Sequence, residues 1–169
     1  MNKRYIRLSS LIFLFLLFIG DLQISTLLSN ILPFFLSISC FQTILFLLVY
    51  SQIDSSVYTF FLSIFIGFVY DIYFYNALGI AVCLFPFLTY LIYYFFQAIR
   101  YTRLSMLTVF IVLIFLFEIV SYGLARLFGL TNLSVILFSI NHLIPTLLFN
   151  MILILFLYPL IKRGLNRLN

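Results

Sequence analysis

The sequence predicts an all-α fold that lives in a membrane: a polytopic bundle of six transmembrane helices with the N- and C-termini both in the cytoplasm. Three observations predict it. First, 66% of the 169 residues are hydrophobic and 8% are charged, with a mean hydropathy of +1.28. Nine basic and four acidic side chains are too few to cover a water-soluble domain of this length, so the solvent is lipid. Second, apolar stretches of about 20 residues follow one another almost end to end, the length a helix needs to cross a hydrocarbon core of roughly 30 Å. Third, the basic residues sit at the ends of those stretches. A backbone in lipid must satisfy its own hydrogen bonds, which leaves helices or a closed barrel, and the alternating strands of a barrel are absent.

The spans are expected at residues 8–28, 31–50, 57–74, 78–99, 104–127 and 143–161, as a single integral membrane domain covering 1–169. With the N-terminus inside, the cytoplasmic rim collects Lys3, Arg4, Arg7, Arg100, Arg103, Lys162, Arg163 and Arg167, and the outer rim only Arg126. That asymmetry fits an even number of spans and both termini inside. The first span is read as a retained helix: Lys3, Arg4 and Arg7 resemble the start of a signal peptide, but Asp21, Leu22 and Gln23 after Gly20 offer no small-x-small cleavage pattern. Connections are expected at 51–56, carrying Asp54, at a tight turn over 75–77, and at a basic corner over 100–103. The longest, 128–142, mixes Thr131 and Asn132 with Val135 to Phe138, which suggests a short segment at the outer surface or partly re-entrant. Cys40 and Cys83 lie in different spans without CxxC spacing and read as buried apolar residues.

Charges inside lipid are expensive, so each one is informative. Asp21 lies roughly 20 Å from the inner end of its span, and Asp71 and Glu118 roughly 21 Å from theirs, at about 1.5 Å per helical residue. Three acids on three helices thus share one level, nearer the outer face. Arg126 and His142 fall still closer to that face, and Asn150 is a further polar companion in the last span. The expected picture is an outward-opening polar cluster in which Arg126 offsets part of the acidic charge. Ser63, Gly67 and Asp71, four apart, line one side of the third helix; Glu118, Ser121 and Ala125 do so on the fifth. Small residues let helices approach closely in lipid, so these faces serve either the protein's own bundle or a partner's transmembrane helix. Pro86 and Pro145 place breaks in the fourth and sixth spans.

Catalytic constellations are missing. There is no HExxH, a single histidine cannot build a multi-histidine metal site, and neither a GxSxG elbow nor a Gly-rich phosphate loop occurs. Two membrane aspartates bring intramembrane aspartyl proteases to mind, but their GxGD motif belongs on the later helix and here Gly20-Asp21 comes first. No enzyme, cofactor or nucleic-acid partner is expected; the net charge of +5 belongs to rims that touch anionic lipid headgroups.

Residues 67–79, GFVYDIYFYNALG, resemble the rod shape-determining protein MreD family, whose third helix carries a glycine, then an aspartate, then a short turn ending in Leu-Gly. Residues 143–150, LIPTLLFN, with Tyr158-Pro159-Leu160 and the basic residues after them, resemble that family's last helix. Length, span count and inside termini agree across essentially the whole chain, which is richer in phenylalanine and poorer in alanine than many members. The resemblance implies a non-enzymatic scaffold of cell-wall elongation in the bacterial cytoplasmic membrane. Its implied partner is an MreC-like protein, with MreB, RodA and a class B penicillin-binding protein in the same machinery. The candidate partner-binding or helix-packing residues are Ser63, Gly67, Asp71, Gly79, Glu118, Ser121, Arg126 and Asn150. Gly79 suits a helix start after the turn, and Asp71 can cap or pair there. The alternative is the substrate-binding subunit of an energy-coupling-factor vitamin or metal transporter, which has a similar six-helix architecture and an outward pocket. Against it, the bulky Phe and Tyr content is expected to fill a cavity.

Overall fold

The computed structural model describes residues 3–51, 56–75, 79–96 and 102–168. The described residues are helical or irregular, with no strand. The helices are α1 (Lys3–Ile31), α2 (Gln42–Tyr50), α3 (Ser56–Tyr70), α4 (Ile80–Leu91), α5 (Arg103–Leu127), α6 (Val135–Phe138) and α7 (Ile144–Leu168). Wider π-helical turns extend α3 through Asp71–Tyr75 and α4 through Ile92–Phe96, and another, Ser139–Leu143, welds α6 to α7. Among the described residues, Ser10–Ile31, Ser56–Tyr73, Arg103–Leu127 and Val135–Arg163 are long and apolar enough to cross a membrane; Ile80–Tyr94 is apolar but shorter. Of the connections expected at 51–56, 75–77 and 100–103, residues 52–55, 76–77 and 100–101 lie outside the described residues.

Two elements differ from the sequence reading. The second apolar stretch is not a continuous helix: residues 32–41 are irregular and only Gln42–Tyr50 is helical. The last helix does not start at 143. After a turn over 128–134 it begins at Val135, with Ser134 capping the Leu137 amide. The apolar run Val135 to Phe138 is therefore the first turn of the final helical rod rather than a separate surface segment.

Helix ends follow local chemistry. Thr102 and Ser105 form a reciprocal capping box at the start of α5. At its end Gly129 takes a left-handed φ of +70°, and the amides of Gly129 and Leu130 bond the carbonyls of Arg126 and Ala125. That paired arrangement closes the last turn on its own free carbonyls.

In lipid, helices associate through close packing rather than through escape from water. The tightest example is α3 on α4. A Cβ on Gly67 would lie 2.6 Å from the Ala81 carbonyl oxygen and 2.7 Å from Val82 Cα, so the two backbones touch there. Ser63, Gly67 and Asp71 are all buried on this side of α3. A chain of rings crosses the centre: Phe18, Tyr70, Phe85, Phe117 and Phe41 follow one another with centroids 5.0, 4.9, 5.2 and 5.3 Å apart. Tilted and edge-on contacts of this kind match the charge distribution of aromatic faces and rims. They join α1, α3, α4, α5 and the irregular segment in one core. Cys40 is buried within it, whereas Cys83, expected to be buried, is exposed on α4; both thiols are free.

Candidate functional site

Non-helical backbone at membrane depth survives only where protein satisfies it or where it lines a cavity. The irregular segment meets both conditions. On one side, α1 presents Asp21, Ser25 and Ser29, spaced by four. Ser29 Oγ accepts the Ile38 amide at 3.5 Å, Ser25 Oγ accepts that of Cys40 at 2.9 Å, and Asp21 Oδ1 accepts that of Gln42 at 2.8 Å. On the other side stand His142, Thr146 and Asn150, again spaced by four. His142 Nδ1 lies 3.0 Å from the Ser37 carbonyl oxygen, and Thr146 Oγ1 accepts the Ser39 amide at 3.1 Å. Asn150 accepts the Phe41 amide at 3.0 Å and donates to the Ser39 carbonyl at 2.8 Å. Residues 38, 40 and 42 are held by α1, and 37, 39 and 41 by the last helical rod.

The match has a geometric basis. Extended chain presents one edge every second residue, about 6.6 Å apart, and a helix presents one face every fourth residue, about 6.0 Å apart. Pro145 completes the set. It has no N–H for the carbonyl four residues earlier, that of Asn141, which accepts the Leu36 amide at 3.1 Å instead.

Two aspartates cap the helices that follow. Asp21 takes the Gln42 amide on Oδ1 and, on Oδ2, the Thr43 amide at 3.0 Å, the Tyr70 hydroxyl at 3.0 Å and the Thr43 hydroxyl. Asp71 does the same for α4, accepting the amides of Gly79 at 2.7 Å, Ala81 at 2.6 Å and Val82 at 3.1 Å. Each carboxylate faces the positive end of a helix dipole and satisfies amides without an intrahelical partner. Gly79, just before α4, has a φ of +124°, which side-chain-bearing residues rarely adopt.

The third acid has a different partner. Glu118 Oε2 lies 2.9 Å from His142 Nε2, and His142 Nδ1 lies 2.7 Å from Ser37 Oγ. Above this pair is a half-open cavity of about 470 Å³, lined by α1 from Leu22 to Asn30, by Ser37 to Phe41, and by Tyr70, Phe117, Glu118 and His142. Its polar wall is mostly hydroxyl groups, and among the described residues no Lys or Arg lines it.

The shared level of the three acids therefore does not make one cluster. Asp21 and Asp71 are each consumed by a helix end, and only Glu118 reaches the cavity. Arg126 does not offset them. It is exposed and donates to the Tyr122 hydroxyl at 3.4 Å, which in turn donates to the Leu133 carbonyl, and among the described residues it forms no ion pair. Ser121 is buried and bonds back to the Glu118 carbonyl, as Ser63 does to that of Phe60. The aromatic content packs beside the cavity without filling it, contrary to expectation.

The family model of the rod shape-determining protein MreD matches residues 2–168. The chain belongs to the MreD family. The cell shape-determining protein MreD of Streptococcus pneumoniae (strain ATCC BAA-255 / R6) is 38% identical over 131 residues, covering 77% of this chain and 79% of that protein. No solved structure matches. In this MreD-family chain the residues that carried the resemblance, Gly67, Asp71 and Gly79, meet at the α3–α4 junction, and Asn150 grips the irregular segment. Sequence reasoning missed Ser25, Ser29, Ser37, Thr43 and Thr146. The available signal was two runs of three polar residues at spacing four, 21/25/29 and 142/146/150, on otherwise apolar helices.

Proposed function

We propose that this MreD-family protein is a non-enzymatic scaffold of the machinery that elongates the bacterial cell wall, and that it binds an MreC-like partner there. It sits in the cytoplasmic membrane as one domain of six crossings, with both termini inside. The family match along residues 2–168 carries the reading. The eight-to-one distribution of basic residues supports the orientation. The second crossing is compatible with its short helix: five extended residues at about 3.3 Å and nine helical ones at about 1.5 Å together reach about 30 Å, the thickness of the hydrocarbon core. MreB, RodA and a class B penicillin-binding protein belong to the same machinery in this reading. Faces bearing Ser63, Gly67, Ser121 and Arg126 are candidate contacts for partners.

A second reading, the substrate subunit of an energy-coupling-factor transporter, draws support from the cavity with its hydroxyl-rich wall. Co-purification of the tagged protein from native membranes, followed by mass spectrometry, separates the two. Recovery of an MreC-like protein with wall-synthesis enzymes is expected. Recovery of a coupling subunit with two ATPases overturns the scaffold reading and makes the cavity a substrate site.

A further inference from the structure

We infer that Glu118 and His142 form a proton-binding site, and that its proton fastens the main chain at Ser37 and with it the irregular wall of the cavity. The inference goes beyond the scaffold reading and stands without it. It starts from the acceptor at one end of the chain of contacts. The Ser37 carbonyl oxygen can only accept, so its 3.0 Å contact requires a hydrogen on His142 Nδ1. That same N–H forks to Ser37 Oγ at 2.7 Å. With Nδ1 protonated, the 2.9 Å contact from Nε2 to Glu118 Oε2 needs one more proton, held on the imidazole or on the carboxyl. The arrangement seen therefore contains one proton more than a neutral histidine beside a carboxylate.

Removing that proton leaves two choices. If Nδ1 keeps its hydrogen, a lone pair on Nε2 faces the carboxylate. If the hydrogen moves to Nε2, the bond to Glu118 persists but Nδ1 turns a lone pair toward the Ser37 carbonyl. The Ser37 hydroxyl can then donate to Nδ1, holding the side chain while the main chain is released. The second choice keeps the Glu118 bond and avoids setting a lone pair against the carboxylate, so the grip on residue 37 weakens, and the neighbouring amides of Ile38 and Ser39 lose the alignment that α1 and α7 require.

The surroundings isolate this pair. Glu118 is 4% exposed. Across the cavity the titratable groups facing His142 are Cys40 of the irregular segment and Tyr70 of α3. On its own side is Phe138, 5.3 Å away, with Tyr122 of α5 stacked behind it and Arg126 beyond Tyr122. Asp21 is occupied by Gln42, Thr43 and Tyr70, and among the described residues no Lys or Arg lines the cavity. Protons reach the pair from the compartment onto which the cavity opens.

Amide hydrogen exchange of residues 36–43 in the full-length protein, reconstituted in lipid nanodiscs, tests this site against Glu118→Gln. The glutamine side-chain amide can donate to Nε2, so it keeps the hydrogen on Nδ1 without a titrating carboxyl opposite. Comparing the two proteins at one pH cancels the intrinsic pH dependence of exchange, because the peptide is the same. The wild type is expected to match Glu118→Gln near about pH 5.5 and to exchange about tenfold faster near about pH 9, the scale set by losing one hydrogen bond. A ratio that stays constant across that range overturns the proposal. Ser37→Ala gives a second reading should Glu118→Gln fail to fold. Without the rescuing hydroxyl it is expected to exchange faster than wild type at high pH and like wild type at low pH. An equal increase at both ends shows a merely structural hydroxyl and refutes the proton site.

Discussion

Asp21 and Asp71 perform the same task at two places and by different means. Each is a buried carboxylate on one helix that caps the start of the next, Asp21 ten residues before the end of α1 and Asp71 directly after α3. Asp71 reaches amides only eight to eleven residues ahead, across a turn that Gly79 shapes, while Gly67 lets the two backbones touch. Asp21 reaches across 21 and 22 residues to a helix that an irregular segment precedes. It also gathers the hydroxyls of Thr43 and Tyr70, so it ties α3 to the α1–α2 pair. The local cap is a compact motif. The distant cap follows a segment, residues 37–41, whose backbone is bonded by two neighbouring helices.

Removing the two caps should therefore not be equivalent. Asp21→Ala takes the acceptor from two amides and two hydroxyls; the Thr43 and Tyr70 hydroxyls keep their 2.7 Å contact with each other, so at about 1–3 kcal/mol for each buried donor left unsatisfied a loss of about 4 kcal/mol is expected in unfolding titrations in mixed micelles. Asp71→Ala should lose about 2–3 kcal/mol by the same measurement, since three amides rather than a network are released. Hydrogen exchange should rise over 36–43 in the first variant and only over 79–82 in the second. Equal losses with the same exchange pattern would erase the distinction.

The glycines sharpen it. Gly67→Ala must push α4 backbone aside and should cost about 1–3 kcal/mol, the usual scale for overpacking. Gly20→Ala, beside Asp21, meets nothing closer than a Gln42 side-chain oxygen at 3.9 Å and should be close to neutral in the same titration. If both substitutions are silent, the backbone contact between α3 and α4 is not what seats the Asp71 cap.

Smaller effects test the polar ladder. Ser25→Ala removes a 2.9 Å bond to the buried Cys40 amide and should cost about 1 kcal/mol; Ser29→Ala removes one of 3.5 Å and should cost less. A reversed order, read from thermal unfolding of the two variants, would mean that the segment is not gripped as a ladder. The smallest change is expected for Asp54→Leu, within about 0.5 kcal/mol, because the sequence reads it as a residue of a cytoplasmic turn. A loss as large as that of Asp71→Ala would overturn that reading of Asp54.

How much of this was legible depended on range. The α3–α4 junction was readable as Gly67, Asp71 and Gly79 because its partners are close in sequence and glycine marks both the contact and the turn. The α1 and α7 grips were not read. Their serines and threonines pass for ordinary helix residues, and their targets lie inside an apolar stretch with the length of a complete span. His142 was placed near the outer face, but its bridge from Glu118 to Ser37 joins residues 24 and 105 apart.

Composition alone determined that the chain is helical and at home in lipid, because so few charges and such long apolar runs admit no other solvent. Sequence motif alone pointed to the family that the comparisons bear out. Only the tertiary structure decided which apolar residues leave the helix and which acid meets the cavity. Hydrophobicity measures transfer into lipid and is the same for a helical and an extended phenylalanine. Whether residues 36–41 can abandon their helical bonds depends instead on acceptors supplied by other helices at matching spacing, a property of how the helices are arranged.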